Sequence, residues 1–248
     1  MSYWKSIWRD MRKINLKETT HMFSFYEDLL GDYNFRGKRV LEIGCGTGVN
    51  SILMGMRGAK ITLMDYERSA LNISKKLLEG LSVDAEFICG NAFDYDLNRG
   101  FDVVHSDGVV EHFLGEKRQR IIDIHTNALV PGGKCIVIVP NSCSVPFRAG
   151  KFFAEVTGTW IHGKEYPYTR NELVYRMEKS GLSVGKAIGG ELMLSLVWVF
   201  APLWLSRFNR LLRWGLSTKT RPGLYKINYN NFFADRWGRI VGACGKRV

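Results

Sequence analysis

The chain lacks two features that are typical of secreted proteins. Its five cysteines, at positions 45, 89, 135, 143 and 244, are odd in number and never stand at C-x-x-C spacing. This pattern predicts buried, reduced thiols and no disulfide framework. The first residues, Met-Ser-Tyr-Trp-Lys, carry charge and are not followed by the apolar core of a signal peptide. We therefore expect a cytoplasmic protein.

The sequence also lacks an apolar run of about 20 residues, the length that a membrane-spanning helix needs. The nearest candidate is 192–205, which Ser195 and Pro202 interrupt. It continues to position 214 with Arg207, Arg210 and Arg213 on one helical face. Two interpretations of 192–214 remain open. One is a buried cap helix, and the other is an interfacial helix that makes peripheral contact with an anionic membrane.

Acidic residues are scarce in the C-terminal part of the chain. Residues 141–248 hold 17 Lys and Arg against 6 Asp and Glu, whereas residues 1–140 hold 18 of each. The imbalance indicates an acidic substrate or an anionic surface, with a solvated basic face as the alternative. His105, His112 and His125 share no helical face with a cysteine pair, so no metal site is expected.

The chain is organised around one glycine-rich stretch. The apolar run Arg39–Ile43 carries a single acid, Glu42, and is followed by Gly44-Cys45-Gly46-Thr47-Gly48 and a helix starting at Val49. Strand, glycine turn and helix form the architecture of a nucleotide-type cofactor pocket. The spacing is not the G-x-G-x-x-G of dinucleotide sites, and the Gly-Lys-Ser/Thr of a P-loop is absent. Glu42 needs hydrogen bonds if buried, and it suits a positively charged ligand better than a pyrophosphate.

Strand and helix patterns alternate through the rest of the chain, which predicts an α/β fold with a parallel sheet covered on both faces. Residues 141–170 are expected to form an aromatic loop, and helix 172–179 follows a capping box at Thr169 and Glu172. The expected strands are 39–43, 60–64, 85–89, 101–105, 134–139, 183–188 and 239–243, and the other expected helices are 21–30, 49–57, 69–78 and 116–129.

Several motifs in register resemble those of class I S-adenosylmethionine-dependent methyltransferases. They are Glu42–Gly48, Asp65 after the second strand, Asn91-Ala92-Phe93 after the third, and Ser106–Phe113 after the fourth. The resemblance implies a doubly wound, mostly parallel seven-stranded Rossmann-like sheet whose last strand is antiparallel and inserted between neighbours. It implies S-adenosyl-L-methionine as the cofactor, bound by Glu42, Gly44, Cys45, Gly46, Gly48, Asp65, Tyr66, Asn91, Ala92, Phe93 and Asp107.

The resemblance further implies a single domain with a core at 36–188 and a last strand within 236–248. Residues 1–35 are expected to form a helical lid, and 190–235 an insertion cap that reads the acceptor. His112 is the first candidate for a general base because imidazole titrates near neutrality, and Glu111 is the second. Asp107, His162, Tyr166 and Tyr168 are further candidates.

The expected function is methyl transfer to a small apolar or anionic acceptor such as a lipid, a quinone or a natural-product intermediate. The basic composition leaves an RNA methyltransferase as an alternative. Ser106-Asp107-Gly108-Val109 stands where base-methylating relatives carry an Asn/Asp-Pro-Pro-aromatic motif, so a nucleic-acid partner is disfavoured. A non-catalytic S-adenosylmethionine-binding protein is the third interpretation.

Overall fold

The computed structural model of the protein describes residues 20–97, 100–158, 160, 162–192, 195 and 231–248. Three sequence predictions lie largely or wholly outside these residues. They are the first part of the lid at 1–35, most of the insertion at 190–235, and the cap or interfacial helix at 192–214. Among the described residues, no helix combines the length and apolar character needed to cross a bilayer.

A seven-stranded sheet forms the centre of the molecule, in the order β3-β2-β1-β4-β5-β7-β6. The first five strands run parallel, and β7 pairs antiparallel with both β5 and β6. This confirms the expected sheet, including the inserted last strand. The strands are β1 (Arg39–Ile43), β2 (Lys60–Asp65), β3 (Ala85–Cys89), β4 (Phe101–Asp107), β5 (Leu129–Pro140), β6 (Leu182–Gly190) and β7 (Ile240–Arg247).

Seven α-helices accompany the sheet among the described residues. Short 3₁₀ helices at Ala92–Asp94 and Val110–His112 follow β3 and β4. The α-helices are α1 (Thr20–Leu30), α2 (Val49–Gly55), α3 (Arg68–Leu78), α4 (Glu116–Ala128), α5 (Val145–Val156), α6 (Arg170–Lys179) and α7 (Phe232–Trp237).

The central strands bury side chains on both faces because successive residues of a strand point to opposite sides of the sheet. Val40 belongs to a core layer that includes Phe25 and Tyr26 of α1. Leu41 belongs to the other layer, with Ile121 of α4 and Leu173 of α6. The two layers explain why the strands read as continuous apolar runs in the sequence.

The prediction of an aromatic loop at 141–170 is wrong for its first half, where the helix α5 forms instead. Its buried residues, Phe147, Gly150, Lys151 and Ala154, recur at the three- and four-residue spacing of a helix face. Exposed aromatic neighbours, Phe152 among them, obscure that period in the sequence. Pro146 stands in the first turn, where its missing N–H is harmless.

Two further expectations need correction. The strand expected at 134–139 starts earlier, at Leu129, and the register of β5 against β4 shifts between Phe101 and Val103. All five cysteines are free, and Cys45, Cys135 and Cys244 are buried as expected. Cys89 and Cys143 are exposed, so the prediction of buried thiols is wrong for these two.

Candidate functional site

A cavity of about 730 Å³ lies across the carboxyl ends of the parallel strands. Residues that follow β1, β2, β3 and β4 line it, together with the end of β5 and the start of β7. The chain winds outward in opposite directions from β1 and β4, and ligands of doubly wound sheets bind at such a reversal. The topology therefore collects the sequence motifs along one wall.

The glycine turn after β1 brings bare backbone to this wall. Gly44 has a φ of 66°, and a Cβ added to it would lie 2.6 Å from a methyl carbon of Val109. Gly48 also has a φ of 66°, at the N-terminus of α2, and its Cβ would lie 2.8 Å from Leu63. L-residues rarely adopt this backbone region, so glycine is required at both positions. Gly48 lies behind the turn and does not line the cavity.

Asp65, at the end of β2, ties the glycine turn to the next loop. One of its carboxylate oxygens accepts the N–H of Gly46 at 2.9 Å, and the other accepts the N–H of Glu67 at 2.8 Å. Burial raises the pKa of Asp65, while the two backbone N–H groups act against that rise. Each carboxylate oxygen has a second lone pair, which leaves capacity for a ligand hydroxyl.

Glu42 is buried at the base of the glycine turn and is hydrogen-bonded, as the sequence required. The hydroxyl of Ser51 donates to Glu42 Oε2 at 2.6 Å and lies 2.8 Å from His105 Nε2. The other ring nitrogen of His105 lies 3.1 Å from the hydroxyl of Tyr26. Burial raises the pKa of Glu42 to about 8 and lowers that of His105 to about 3.

The loop after β3 forms the side of the cavity next to β2. Asn91 Oδ1 accepts the N–H of Phe93, which starts the short helix at Ala92–Asp94. Asn91, Ala92 and Phe93 all line the cavity, as does the half-exposed Tyr66. The ring of Phe93 packs edge-on against Phe113, with centroids 5.0 Å apart. This side therefore offers flat apolar surface with backbone polar groups at its edge.

The opposite side of the cavity is built from the segment after β4 and from the 160–168 loop. Glu111 and His112 lie in the short helix at Val110–His112 and line the wall with Glu165. His112 Nδ1 contacts the carbonyl oxygen of Lys164 at 2.8 Å. Burial lowers the pKa of His112, and hydrogen bonds to the carbonyls of Lys164 and Gly108 act against that. Burial raises the pKa of Glu165 to about 7.

Arg118 holds this loop in place from beneath. Its guanidinium donates to the carbonyl oxygens of Tyr166 at 2.8 Å and Pro167 at 3.2 Å, and it pairs with Glu172 at 2.8 Å. It also stacks 3.5 Å above the ring of Tyr168. Tyr168 is buried under this group and does not line the cavity, so a role for it as a base finds no support.

Aromatic side chains close the cavity beside β5 and β7. Phe147 of α5 packs against Trp160, whose indole N–H donates to Gly163 at 2.8 Å. His162 lies against the same indole, with ring centroids 5.1 Å apart. Arg239 is the one Lys or Arg side chain among the described residues that line the cavity, and it pairs with the buried Glu191.

The cavity is rich in hydrogen-bond acceptors and poor in positive charge. Burial raises the pKa of Asp107 to about 6, although Arg239 opposes that rise. Asn50 Oδ1, close after the glycine turn, is buried and has no hydrogen-bond partner. A ligand that carries positive charge and N–H or O–H donors would satisfy these groups. The residues present therefore fit S-adenosylmethionine, which has an ammonium, a sulfonium and two ribose hydroxyls.

The structure brings most of the expected site residues together. Both candidate bases, Glu111 and His112, lie on the cavity wall, and Tyr166 does not. Every expected cofactor residue except Gly48 also lines the wall: Glu42, Gly44, Cys45, Gly46, Asp65, Tyr66, Asn91, Ala92, Phe93 and Asp107. Sequence reasoning missed Asn50, Val109, Phe147, Trp160, Glu165 and Arg239.

Comparisons with known proteins agree with this arrangement. Residues 40–133 match a family model described as a methyltransferase domain. A ubiquinone biosynthesis O-methyltransferase from Idiomarina loihiensis is 31% identical over 127 residues, covering 50% of this chain and 51% of that protein. A cypemycin N-terminal methyltransferase from Streptomyces is 27% identical over 190 residues, covering 75% of this chain and 69% of that protein. The chain thus spans about half the length of the first relative.

Solved structures share the whole fold at low sequence identity. An S-adenosylmethionine-dependent methyltransferase from Thermotoga maritima covers 100% of both chains, with a TM-score of 0.63 and 15% identity. The magnesium protoporphyrin IX methyltransferase of Synechocystis covers 99% of this chain and 93% of its own, with a TM-score of 0.62 and 14% identity. Residues 40–133 thus match a methyltransferase domain, and the chain as a whole has the fold of solved S-adenosylmethionine-dependent methyltransferases.

Proposed function

We propose that the protein transfers a methyl group from S-adenosyl-L-methionine to a small apolar or anionic acceptor. One observation carries the proposal: a single cavity joins two different ends. The end after β1 to β3 is rich in hydrogen-bond acceptors and lies opposite an aromatic end beside β5 and β7. The first end suits a cationic cofactor. The second end suits an apolar acceptor that must be shielded from water.

Each part of the cofactor has a counterpart among the wall residues. The carboxyl of Glu42 and the unpartnered oxygen of Asn50 suit the ammonium at the amino-acid end. Asp65 suits the ribose hydroxyls, because its oxygens retain lone pairs beyond the two backbone bonds. The apolar surface of Ala92 and Phe93 suits the adenine ring.

The cofactor, when bound, supplies a methyl group activated by a sulfonium, and an acceptor atom displaces the sulfur in line. The protein's own residues position the reactants and exclude water. Phe147 and Trp160 close the acceptor end with apolar surface. His112 is neutral near pH 7, because burial lowers its pKa, and its ring could therefore accept a proton from the acceptor.

The first relative supports transfer of the methyl group to an oxygen atom, since that relative is a ubiquinone biosynthesis O-methyltransferase. Arg239 on the wall and the basic residues after 140 suit an acceptor that carries negative charge. Within 1–35, α1 packs in the core and none of its residues lines the cavity, so the lid stays a prediction for 1–19. Residues 190–235 stay predicted as the cap. The peripheral contact of 192–214 with an anionic membrane stays a prediction as well.

The test is release of S-adenosylhomocysteine from the full chain in the presence of candidate acceptors. Phenols and catechols with apolar tails, acidic natural-product precursors and RNA oligonucleotides form the panel. We expect release with a small acceptor and none with RNA. A Trp160→Ala variant should raise the KM for that acceptor and leave cofactor affinity unchanged. Release with RNA alone would overturn the assignment of the acceptor class.

A further inference from the structure

Three side chains with metal-ligand chemistry converge at the acceptor end of the cavity. Glu111, His112 and Glu165 each present a ligand atom, and these atoms all lie within 4.8 Å of one another. Glu111 and His112 come from the short helix after β4, and Glu165 comes from the loop 162–169 that covers it. None of the three is among the residues that the proposed function assigns to the cofactor.

Each of the two carboxylates of this cluster has one buried oxygen that no protein group hydrogen-bonds. Glu111 is 1% exposed, and its Oε2 is buried with no hydrogen-bond partner. Glu165 Oε2 is also buried and has no partner. The nearby cations form their ion pairs with other acids: Arg118 with Glu172, Lys151 with Glu155 and Arg239 with Glu191. A buried acid beside a partly buried one is unfavourable unless a cation or a donor satisfies their buried oxygens.

The orientation of His112 is fixed by the same loop that supplies Glu165. Its Nδ1 contacts the carbonyl oxygen of Lys164, the residue next to Glu165, at 2.8 Å. A carbonyl only accepts, so the ring donates a hydrogen bond to Lys164 through Nδ1. A backbone carbonyl bound to one ring N–H is the arrangement that commonly orients metal-bound imidazoles.

We propose that Glu111, His112 and Glu165 form a binding site for a divalent transition-metal ion at the acceptor end of the cavity. Two carboxylates and one imidazole suit Mn²⁺ first and Zn²⁺ second. Ligand atoms about 2.1 Å from an ion lie roughly 3 to 4 Å apart, so small side-chain rotations complete the set. All three residues line the cavity, so the remaining positions of a bound ion would be open to water or to acceptor oxygens.

The role of the ion rests on the proposed function. An acceptor hydroxyl bound to it would be oriented in the cavity and would lose its proton to water more readily. When the ion is bound, His112 is a ligand and is no longer available as the general base described under the proposed function. Recognition of the acceptor would depend on oxygen atoms that can reach the ion.

The test is Mn²⁺ binding to the full chain after treatment with a chelator, without cofactor or acceptor. Electron paramagnetic resonance measures the free ion during titration, and calorimetry repeats the titration with Zn²⁺. The variants are Glu165→Gln and Glu111→Gln. Glu116→Gln is the matched control, since Glu116 is exposed four residues beyond His112 and lies outside the cluster.

We expect one Mn²⁺ per wild-type chain, and a loss of affinity in both cluster variants of at least the 10- to 100-fold that changing a metal's outer-shell partners causes. The control should bind as the wild type does. Absence of binding of both metals to the wild type, or equal binding in Glu165→Gln, would overturn the proposal. Calorimetry with S-adenosylmethionine on the same samples separates this result from failure of the proposed function and verifies that each variant is folded.

Discussion

The hydroxyl of Ser51 donates a 2.6 Å hydrogen bond to Glu42 and links the cofactor end of the cavity to the core. Since a hydroxyl donates only once, His105 Nε2 must donate to Ser51, and His105 Nδ1 then accepts from Tyr26. Because burial lowers the pKa of His105 to about 3, its imidazole is neutral, and the directed chain Tyr26–His105–Ser51–Glu42 follows from that state. Buried polar groups are satisfied along its whole length.

Glu42→Gln should flatten the dependence of stability on pH in the cofactor-free protein. Burial raises the pKa of Glu42 from 4.5 to about 8, so between these values the folded state binds a proton that the unfolded state releases. The stabilisation that this proton gives to the folded state is therefore complete below pH 4.5 and is lost as the pH rises through 8. Relative to the variant, the wild type should lose up to about 1.4 kcal/mol of unfolding free energy per pH unit in that window.

Urea denaturation at several pH values between 5 and 8 measures this difference. Glu86→Gln is the control, because Glu86 is an exposed acid on the edge strand β3. Its unfolding free energy should follow the wild type across the range. Parallel pH profiles for the wild type and Glu42→Gln would show that Glu42 is charged throughout and would contradict the assignment.

Gly44→Ala should damage both stability and cofactor binding, whereas Gly31→Ala should damage stability alone and by less. The two glycines have nearly the same φ, 66° and 67°. A Cβ meets nothing within 4 Å at position 31 but lies 2.6 Å from Val109 at position 44. Backbone strain should cost about 1 kcal/mol at both sites, and overpacking should add about 1 to 3 kcal/mol at position 44.

Thermal unfolding and calorimetry with S-adenosylmethionine measure the two effects of these glycine variants. Gly31→Ala should keep wild-type affinity because Gly31 follows α1, away from the cavity. Equal stability loss in the two variants, with full affinity retained by Gly44→Ala, would show that the close approach to Val109 is unimportant.

Arg118→Lys should destabilise the protein by about 3 kcal/mol despite keeping the charge. A lysine cannot reproduce the paired bonds to Glu172 and the separate bonds to the carbonyls of Tyr166 and Pro167. Breaking a largely buried charge network leaves acceptors without donors. Arg148→Lys, at an exposed position of α5, is the control and should stay within about 0.5 kcal/mol of the wild type. A similar small change in the free energy of unfolding of both variants would show that Arg118 does not anchor the loop.

The cofactor half of the site could be predicted from the sequence because its residues lie at or just after the ends of strands. Glu42, Asp65 and Asn91 each lie at or just after an apolar strand, and parallel strands place such positions at one edge. The backbone requirements of the turn were visible as glycines. Local pattern was enough for this half.

The acceptor half could not be read in the same way. Glu165 and Trp160 lie in a loop with no periodicity, and Arg239 is the residue just before the last strand. They reach the cavity only because β7 inserts beside β5 and because Arg118 anchors the loop. The helix α5 was missed because its exposed aromatics masked the period of its buried face. Such long-range placements leave no spacing signal in one sequence.

Calorimetric titration of the wild-type chain with S-adenosylmethionine tests the central claim most directly, with Asp65→Asn as the paired variant. Asp65 accepts two backbone N–H groups and is assigned to the ribose hydroxyls. We expect one cofactor per chain and at least a tenfold loss of affinity in the variant, the effect of about 1.4 kcal/mol. No detectable binding to the folded wild type, or equal affinity in Asp65→Asn, would contradict the account.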